Sequence, residues 1–510
     1  MSLVNTINLS FQMTKTLTDM EVCGIKINVD TLHKLRDDYQ MEMVILKKKL
    51  DTMIIEAMGD TPVNLDSGED RSVVMYSCRV KDKHQWKSAF NLGTETRRGG
   101  SKRPKRRPNF TKTEFSSMVA RMTSVIYKTK VQRCDNCFGK GTIKKYTVKG
   151  ELYKIAPKCP NCIGKGVVYI PTGEVAGFKL IPTNILDCTV HGFKTDMGTA
   201  SKHITESNPT AKEFLESYTR YSAIRTYLRT FIEGIERGLD VNNFIHPQFM
   251  QCVTSTGRLS SRNPNFQNMP RGTTFPVRKA IVSRFTNGFI LEGDYKQLEF
   301  RVAGFLSKDK QVYKDVKNDV DVHQYTADTM NVSRQDAKAH TFKPLYGGIL
   351  GTPKEMRYYE AFKNKYWQVN NWHYTLQKEA VETKKIKLPS GREYAFPEAR
   401  WTRYGNVTNS TAIKNYPVQG FATADLLPLA LVFLYGIMKK NNMKSVICNT
   451  VHDSITLDVH PEEKIECIDY LRNAMMSIKD ECKRRYNINY DMPIDIELKI
   501  GRNWLELEEI

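Results

Sequence analysis

Two aspartates, each at the end of a strand-like segment, are the first residues of this sequence that could do chemistry. Asp294 follows the apolar run 289–291, and Asp453 lies between the β-rich runs 445–451 and 454–459. The first pattern predicts a strand-to-helix junction, and the second predicts a hairpin with Asp453 at its tight turn. Two such carboxylates could share divalent metal ions, although a single aspartate at a strand end is usually a cap or a surface residue.

A stretch between the two aspartates carries cations and rings at every fourth position. The four positions are Arg334, Lys338, Phe342 and Tyr346. On a helix, residues four apart drift only slowly around one face. Such a face offers cations for a triphosphate and rings for a base and a sugar, whereas a basic stripe alone is ordinarily solvated. Pro344 lacks an amide hydrogen, so it predicts a kink in this helix.

Together the carboxylates and the stripe fit phosphoryl transfer from a nucleoside triphosphate. The rate of that reaction is limited by the negative charge of the phosphates and by the alignment of the attacking and leaving oxygens. Two Mg²⁺ ions about 3.5–4 Å apart can neutralise the charge and orient both oxygens. Magnesium prefers oxygen ligands and retains water, so two aspartates plus substrate phosphates can hold it.

The composition favours a large basic protein with a polyanionic partner. A chain of 510 residues allows two to four subdomains, and 77 Lys and Arg against 56 Asp and Glu give a net charge of +21. This excess favours nucleic acid, although a generically basic protein has the same balance. We see no secretion signal and no run of 18 apolar residues, so we expect no membrane span. Eleven cysteines, most of them scattered, favour a reducing compartment such as the cytoplasm.

Two segments with helical periodicity flank a long irregular region. Residues 12–58 and 207–240 are predicted to be helical, the first with a cap at Asp30-Thr31. Between them, a basic run at 97–108 favours contact with phosphates over a solvated tip or a nuclear-localisation signal.

Residues 131–172 contain two matching cysteine knuckles. Their sequences are Cys134-x2-Cys137-Phe-Gly-Lys-Gly141 and Cys159-x2-Cys162-Ile-Gly-Lys-Gly166. Four thiolates suit one tetrahedral structural zinc ion, and the glycines let the backbone turn around the sulfurs. The knuckles resemble those of the DnaJ co-chaperones, as a local likeness without chaperone function. A redox CxxC pair is the alternative, but no thioredoxin-like βαβ pattern surrounds it.

As a whole, the sequence resembles the family A DNA polymerases, typified by bacterial DNA polymerase I and many bacteriophage replicases. The likeness covers roughly 14–60 and 205–510, in the family's order. The segments that carry it are 256–261 with 263–270, Asp294–Arg301, Asp321–His323, Arg334–Gly347, Asn415–Gln419, Val451–Asp453 and Gly501–Trp504.

The resemblance implies a role for each candidate residue. Asp294 and Asp453 would hold two Mg²⁺ ions, with Mn²⁺ as a substitute, and Glu299 would be the steric gate against a ribose 2′-hydroxyl. The incoming dNTP would contact Gln297, His323, Arg334, Lys338, Phe342 and Tyr346, with Arg334 and Lys338 also counted as catalytic. Primer-template DNA would contact Arg258, Gln267, Asn268, Asn415, Gln419 and His452.

The implied fold is α+β, a right-hand polymerase with a thumb, a palm built on an antiparallel sheet and helical fingers. The expected thumb is 1–240, with an insertion at 66–200 that contains the zinc module at 131–172. The expected palm is 241–310 and 405–510, and the expected fingers are 311–404.

The implied function is template-directed addition of dNTPs to a primer 3′-hydroxyl, in viral (phage) DNA replication and so in the host cytoplasm. About 15 residues before the thumb helix are too few for a 3′–5′ exonuclease domain, so we expect no proofreading in this chain. A separate exonuclease subunit and a processivity or replisome factor are the expected protein partners.

Two residues depart from the family's pattern, and two other functions stay open. Ser454 follows the segment Val451–Asp453, at a position where the family usually has Glu, and Thr411 stands where bacterial members usually have Arg.

A single-subunit RNA polymerase shares this palm, but Glu299 in the gate position argues against it. A catalytically inactive DNA-binding scaffold is the other alternative, against which both aspartates and the complete stripe argue.

Overall fold

The computed structural model describes residues 2–96, 102–144, 156–204, 208–348, 351–403 and 405–510. The chain divides into two compact units: the first is Met1–Arg36 with Arg229–Ile510, and the second is Asp37–Leu228. Residues 97–101, in the basic run predicted to contact phosphates, lie outside the described residues.

A five-stranded antiparallel sheet lies at the centre of the first unit, as far as the described residues show. Its strands in chain order are β1 (Phe289–Tyr295), β2 (Val446–Val451), β3 (Ser454–Val459), β4 (Ile496–Gly501) and β5 (Leu507–Glu509). They lie in the order β2-β3-β1-β4-β5, so β1 is paired on both sides. The predicted strand before Asp294 and the predicted hairpin around Asp453 are both present.

The residues on either side of Asp294 in β1 face the helix Lys464–Met476. A Cβ at Gly293 would lie 2.6 Å from Met475 Sδ, and the Tyr295 hydroxyl donates to the Met475 carbonyl at 2.7 Å. Because side chains alternate along a strand, Asp294 projects from the opposite face of the sheet. The helix therefore explains both the glycine before Asp294 and the direction of the aspartate.

Helices and short turns form the rest of the first unit. Its helices are Ser2–Cys23, the start of Val29–Met58, Glu233–Glu236, Leu298–Ser307, Lys310–Lys317, Val322–Met330, Arg334–Thr341, Pro353–Lys365, Trp367–Thr383, Ser410–Gly420, Leu427–Lys440, Lys464–Met476 and Ile478–Tyr486. Tight 3₁₀ turns are Phe266–Asn268, Val277–Ala280, Pro344–Tyr346 and Pro461–Glu463, and π-turns are Leu228–Ile232 and Phe421–Leu426. Its short strand pairs are Ile25–Lys26 with Phe244–Ile245, Gln248–Met250 with Ser260–Arg262, and Lys385–Lys387 with Glu393–Ala395.

In the described part of the chain, one helical segment, Ser410–Lys440, has the length and apolar composition that could cross a membrane. However, 72% of its most apolar window is buried inside the protein. Leu427, Leu431 and Leu434 of this segment are among the side chains of the main hydrophobic core. Its apolar character is therefore explained by packing within the first unit.

The second unit packs helices and two-stranded ribbons around a separate hydrophobic core. Its helices are the rest of Val29–Met58, Gly68–Tyr76, Lys83–Ala89, Lys112–Met122, Met197–Ile204 and Pro209–Tyr227, with a 3₁₀ turn at Ile185–Asp187. Its ribbons pair Cys78–Val80 with Thr123–Val125, Thr94–Thr96 with Lys102–Pro104, Tyr127–Arg133 with Val167–Val175, and Cys188–Thr189 with Gly192–Phe193. The rings of Phe178 and Phe214 stack in the core at 4.1 Å.

The helix predicted over 12–58 is interrupted at Gly24, which corrects that expectation. Gly24 has a φ of +64°, and a Cβ there would lie 2.7 Å from the ring of His246. The predicted cap is also wrong by two residues, because Asn28 Oδ1 accepts the hydrogen bond of the Thr31 amide at 2.9 Å. The helix predicted over 207–240 begins at Pro209 and passes through a π-turn before its last turn ends at Glu236.

Candidate active site

The register of the central strands brings the two predicted aspartates together. Asp294 pairs across the sheet with Ser454, and Asp453 is the residue immediately before Ser454. The Tyr295 amide donates to the Asp453 carbonyl oxygen at 3.4 Å. His452 adopts a φ of +59° in the two-residue turn between β2 and β3. Asp294 is thus the penultimate residue of its strand, and Asp453 lies in the predicted turn.

Burial and mutual repulsion act on both carboxyl groups. Burial, followed by the charges of Asp453 and Glu292, raises the pKa of Asp294. Burial, followed by the charge of Glu299, raises the pKa of Asp453. Asp294 Oδ1 is buried and has no hydrogen-bond partner among the described residues. An unpaired carboxylate oxygen beside a second carboxyl fits a hard divalent cation such as Mg²⁺.

Glu299, the predicted gate, lies in the first turn of Leu298–Ser307, directly after the β1 strand. Gln297 precedes the helix in a left-handed conformation with a φ of +51°. Arg258 Nη2 lies 3.2 Å from Glu299 Oε1. Burial raises the pKa of Glu299, and the charge of Arg258 opposes that shift. Arg258, predicted to contact DNA, therefore pairs with the gate in this structure.

The predicted stripe does not follow one continuous helix. The helix Arg334–Thr341 ends at Phe342, and Pro344 begins the 3₁₀ turn that contains Tyr346. A proline cannot donate to the preceding turn, which accounts for this change. Phe342 and Tyr346 therefore leave the helical face that four-residue spacing predicts. The side chain of Lys338 lies outside the described residues.

Two contacts orient the beginning of this helix and the histidine beside it. Arg334 Nε donates to Asp321 Oδ2 at 2.7 Å. Burial acts to raise the pKa of Asp321, but Arg334 and the amides of Gln324 and His323 together lower it. His323 Nδ1 lies 2.9 Å from Thr341 Oγ1. The two contacts therefore join the start of the helix Val322–Met330 to both ends of the helix Arg334–Thr341.

The Phe342 ring links this segment to the helix that carries the gate. Its centroid lies 5.2 Å from the His323 ring and 6.1 Å from the ring of buried Phe300. Phe300 is the residue after Glu299. The predicted sugar-packing residue is therefore close to both the predicted phosphate-contacting histidine and the predicted gate.

The remaining residues predicted to contact DNA lie on two elements. Gln267 is in the 3₁₀ turn Phe266–Asn268, and its Nε2 lies 3.5 Å from the Thr450 carbonyl oxygen in β2. Asn268 is exposed on the same turn. On Ser410–Gly420, Asn415 Oδ1 is buried without a hydrogen-bond partner in the described chain, and Gln419 follows one turn later, half-buried.

The four knuckle cysteines form a second candidate metal centre, within the second unit. All four sulfur atoms lie within 4.8 Å of one another. The Sγ atoms of Cys134 and Cys159 are 3.8 Å apart, and those of Cys137 and Cys162 are 3.6 Å apart. Zinc–sulfur bonds of about 2.3 Å in a tetrahedron require sulfur separations of about 3.8 Å, so the cluster fits zinc.

Backbone amides donate hydrogen bonds to two of the four sulfur atoms, as they commonly do to thiolates. The Gly141 amide donates to Cys137 Sγ at 3.3 Å, and the Gly166 amide donates to Cys162 Sγ at 3.2 Å. Close sulfur contacts join the two knuckles, and all four sulfurs belong to one cluster. This arrangement favours a shared metal over a redox pair inside one knuckle.

Comparison with known proteins identifies the family. A sequence model described as DNA polymerase family A matches residues 182–506. The chain belongs to DNA polymerase family A. It is 28% identical to DNA polymerase I of Caldicellulosiruptor bescii, over 64% of this chain and 39% of the relative. It is 30% identical to DNA polymerase I of Lactococcus lactis subsp. cremoris, over 71% of this chain and 40% of the relative.

The chain spans about two fifths of the length of these curated relatives. Among solved structures, a complex of the POL domain of Pol1 from M. smegmatis with DNA primer-template and dNTP is similar to this protein, with a TM-score of 0.66. The likeness covers 97% of this chain and 70% of that chain at 18% identity. At this identity the comparison establishes a shared fold, the mixed helix-and-sheet fold of a family A polymerase domain.

The two departures from the family A pattern have clear places in the structure. Ser454 is fully buried, and its hydroxyl donates to the Val451 carbonyl at 3.0 Å across the turn that carries Asp453. This serine stabilises the turn where the family usually has an acid. Thr411 is exposed in the first turn of Ser410–Gly420.

Three further residues of this family A site do not stand out as a group in the sequence. Glu292 lies two residues before Asp294 on the same face of β1, and Trp504 Nε1 donates to Glu292 Oε2 at 2.7 Å. The guanidinium of buried Arg278 stacks 3.8 Å above the Trp504 ring, and burial lowers the pKa of Arg278 to about 10. Because side chains alternate between the two faces of a strand, the sequence could have placed Glu292 on the same face as Asp294. No local sequence pattern indicates that Arg278 belongs to the site.

Proposed function

We propose that this chain is a DNA-directed DNA polymerase that adds dNTPs to a primer 3′-hydroxyl. The observation that carries the proposal is that two neighbouring strands bring Asp294 and the turn residue Asp453 together, with Asp294 Oδ1 buried and unpartnered among the described residues. Family membership supports the same reaction. The proposed substrates are primer-template DNA and dNTPs.

In the proposed mechanism, Asp294 and Asp453 would hold two Mg²⁺ ions, with Mn²⁺ as a substitute. Bound ions of this kind activate the attacking hydroxyl and stabilise the leaving pyrophosphate. The buried carboxyls supply fixed negative charge, and their raised pKa values reflect how unfavourable that charge is without a cation. His452, in the turn beside Asp453, would contact the primer-template DNA.

Residues of the proposed fingers would bind and align the triphosphate. Arg334, Lys338 and His323 would neutralise its charge, and the Asp321 ion pair holds the Arg334 guanidinium in one orientation. Phe342 would pack on the sugar, and Tyr346 would contact the base-pair position. Such positioning is the main contribution that a protein makes to phosphoryl transfer.

Glu299 is the proposed gate that selects deoxyribose. Its side chain is half-buried, and its charge acts directly on Asp453, which supports a location beside the reacting nucleotide. The ion pair with Arg258 limits its rotation. A carboxylate fixed in this way would exclude a 2′-hydroxyl, which favours dNTPs over the ribonucleotides of an RNA polymerase.

We infer the same domain arrangement that the resemblance implies, with structural zinc in the insertion. The proposed thumb is 1–240 with its insertion at 66–200, the proposed fingers are 311–404, and the rest is palm. The sulfur separations around the four cysteines support one zinc ion per chain. A cytoplasmic replication role, a phage setting and the lack of proofreading stay predictions, and the relatives compared are bacterial.

Primer extension tests the proposed function. A 5′-labelled primer on a DNA template is incubated with Mg²⁺ and dNTPs, with NTPs, or without nucleotide. We expect extension with dNTPs only, an intact primer without nucleotide, and loss of extension in Asp453→Asn. The matched control is Asp469→Asn, an exposed aspartate without an ion pair among the described residues.

Each of the other outcomes would contradict part of the proposed function. Extension with NTPs would identify an RNA polymerase and contradict the gate. DNA binding without extension would favour a scaffold, and shortening of the primer without nucleotide would contradict the absence of proofreading.

A further inference from the structure

The two knuckles present apolar side chains that pack against nothing in the described chain's cores. Phe138 and Ile163, the residues after the second cysteine of each knuckle, are 70% and 75% exposed. Both have a positive φ, 51° and 52°, which is rare for bulky residues and particularly unfavourable for a β-branched one. The two knuckle tips therefore hold large apolar side chains outward at an energetic cost.

The residue before each knuckle packs on the glycine that follows its tip, and a Cβ on Gly139 would lie 2.9 Å from Arg133 Nε. The Arg133 guanidinium donates to the Phe138 carbonyl oxygen. In the second knuckle, the residue at the equivalent position, Lys158, packs its stem beside Gly164, where a Cβ would lie 3.2 Å from it. A Cβ on Gly166 would lie 2.4 Å from the carbonyl oxygen of Gly139, so the backbones of the two knuckles are in contact.

Positive charge surrounds the tips. The described residues of 127–144 and 156–175 contain seven Lys and Arg against two Asp and Glu, a net charge of +5. Six of the cations are exposed and have no carboxylate partner among the described residues: Lys130, Arg133, Lys140, Lys144, Lys158 and Lys165. The seventh, Lys128, pairs with Glu174. The module therefore offers cations that no acidic group of its own neutralises.

We propose that the two knuckle tips form a binding surface for single-stranded DNA. Phe138 and Ile163 contact the faces of unpaired bases, and Lys140 and Lys165, each two residues after a tip, contact phosphates. Exposed rings and cations together are the elements of single-strand binding. The proposal rests on the proposed polymerase function, because an unpaired template strand is the DNA that such an enzyme must follow.

Two features favour this ligand over the alternatives. Base faces are available in a single strand but stacked in a duplex, so an exposed phenylalanine gains most from unpaired DNA. The centres of protein interfaces are depleted in lysine, which argues against a protein partner at a surface with this many unneutralised cations.

Photocrosslinking in the full-length chain tests the location directly. Phe138 is replaced by p-benzoylphenylalanine, and the protein is irradiated with a labelled 20-residue oligothymidylate and an excess of blunt hairpin DNA. The matched control carries the same group at Ile181, which is also 75% exposed in the second unit. We expect crosslinking from position 138, little from position 181, and competition by unlabelled oligothymidylate. No crosslink at 138, or equal competition by the hairpin, would overturn the proposal.

Binding measurements separate the apolar contacts from the ionic ones. In Phe138→Ala/Ile163→Ala, we expect the Kd for oligothymidylate to rise about tenfold with an unchanged salt dependence. In Lys140→Ala/Lys165→Ala, we expect the slope of log Kd against log salt to fall by about 1.4, since each single-strand phosphate contact contributes about 0.7. An unchanged Kd in the first variant would show that the tips do not touch bases.

Two controls keep the result interpretable. Zinc content near one per chain in each variant would show that the module is intact. A chain that crosslinks but cannot extend primers would fail the polymerase proposal alone, whereas one that extends primers without crosslinking would fail this proposal alone. Capture of a protein by the tip at position 138, with no DNA crosslink, would assign the surface to a protein partner.

Discussion

The two candidate metal centres of this chain are positioned by opposite means. Asp294 lies on the central strand of a sheet whose other face is packed into the main hydrophobic core. Among the described residues, the cysteine cluster has almost no core, because only Ile143 and Val168 pack against its four cysteines. The protein can therefore hold the carboxylates in place without metal, whereas a cluster this small depends on its ion for order.

The surroundings of the candidate metal ligands also differ between the two centres. The carboxyls are buried and close to other acids, so their charge destabilises the folded state until a cation is bound. At the cysteine cluster, the amides of Gly141 and Gly166 donate to the sulfurs of Cys137 and Cys162, whereas Asp294 Oδ1 has no donor among the described residues. The candidate catalytic site thus combines unfavourable charge with a rigid frame, whereas the proposed zinc site would add stability to a weak frame.

Replacing Asp294 with Asn should have the largest effect on activity and the opposite effect on stability. We expect kcat for primer extension to fall by at least about a thousandfold, since one of two proposed metal ligands is lost. The Tm measured in EDTA should stay equal or rise, because the substitution removes one of two repelling buried carboxylates. Asp469→Asn should change neither quantity. A large fall in Tm with EDTA present would show that the pair stabilises the fold, and the contrast with the cysteine cluster would fail.

Replacing Cys137 with Ser should show the reverse pattern. We expect zinc measured by elemental analysis to fall from about one ion per chain to near zero. Hydrogen exchange should then accelerate across 127–175, because the module loses the ion that orders it. Protection of β1 to β4 in the first unit should be unchanged.

Cys78→Ser is the matched control, since Cys78 lies in the second unit but outside the cluster. Retained exchange protection in the zinc-free Cys137→Ser variant would show that the module is ordered by its own packing. The absence of zinc from the unsubstituted protein would reject the metal centre itself.

Replacing Glu299 with Ala tests whether the rigid frame also provides specificity. We expect the preference for dNTPs over NTPs, as a ratio of kcat/KM values, to fall by about a hundredfold. The physical reason is that the substitution removes the half-buried carboxylate, held by Arg258, that is proposed to exclude the 2′-hydroxyl. Glu466→Ala, an exposed acid in the same unit, should keep the preference. An unaltered ratio in Glu299→Ala would place the gate elsewhere.

The sequence predicted the structure best where a candidate site residue lies within a short local pattern. The strand before Asp294, the turn at Asp453 and the cysteine spacing each follow from short-range rules, and the structure contains all three. The kink predicted at Pro344 is confirmed as a break, but four-residue spacing alone does not reveal that the helix already ends at Thr341. The partner of Arg258 could not be predicted, since the ion pair joins residues 41 positions apart. The break at Gly24 depends likewise on contact with His246, which lies far along the chain.

Replacing Trp504 with Phe should give the smallest of these effects, a modest loss of stability. It tests how far the protein frame alone positions the carboxylates. The indole N–H donates to Glu292, on the same strand face as Asp294, while Arg278 stacks on the ring. Phenylalanine keeps the stacking surface but leaves a half-buried carboxylate without its donor, so we expect a loss of about 1–2 kcal/mol in the free energy of unfolding. Trp367→Phe, at a 57% exposed tryptophan, should cost almost nothing.

Denaturant unfolding with and without Mg²⁺ measures whether this loss belongs to the frame or to the metal centre. If the hydrogen bond only supports the sheet, the Trp504→Phe loss should be the same in both conditions. A loss that disappears with Mg²⁺ would mean that Glu292 contributes its freed charge to the cation. In that case the protein frame and the bound metal would together position the carboxylates, as the proposed zinc ion would position the cysteines, and the two centres would differ in degree rather than in kind.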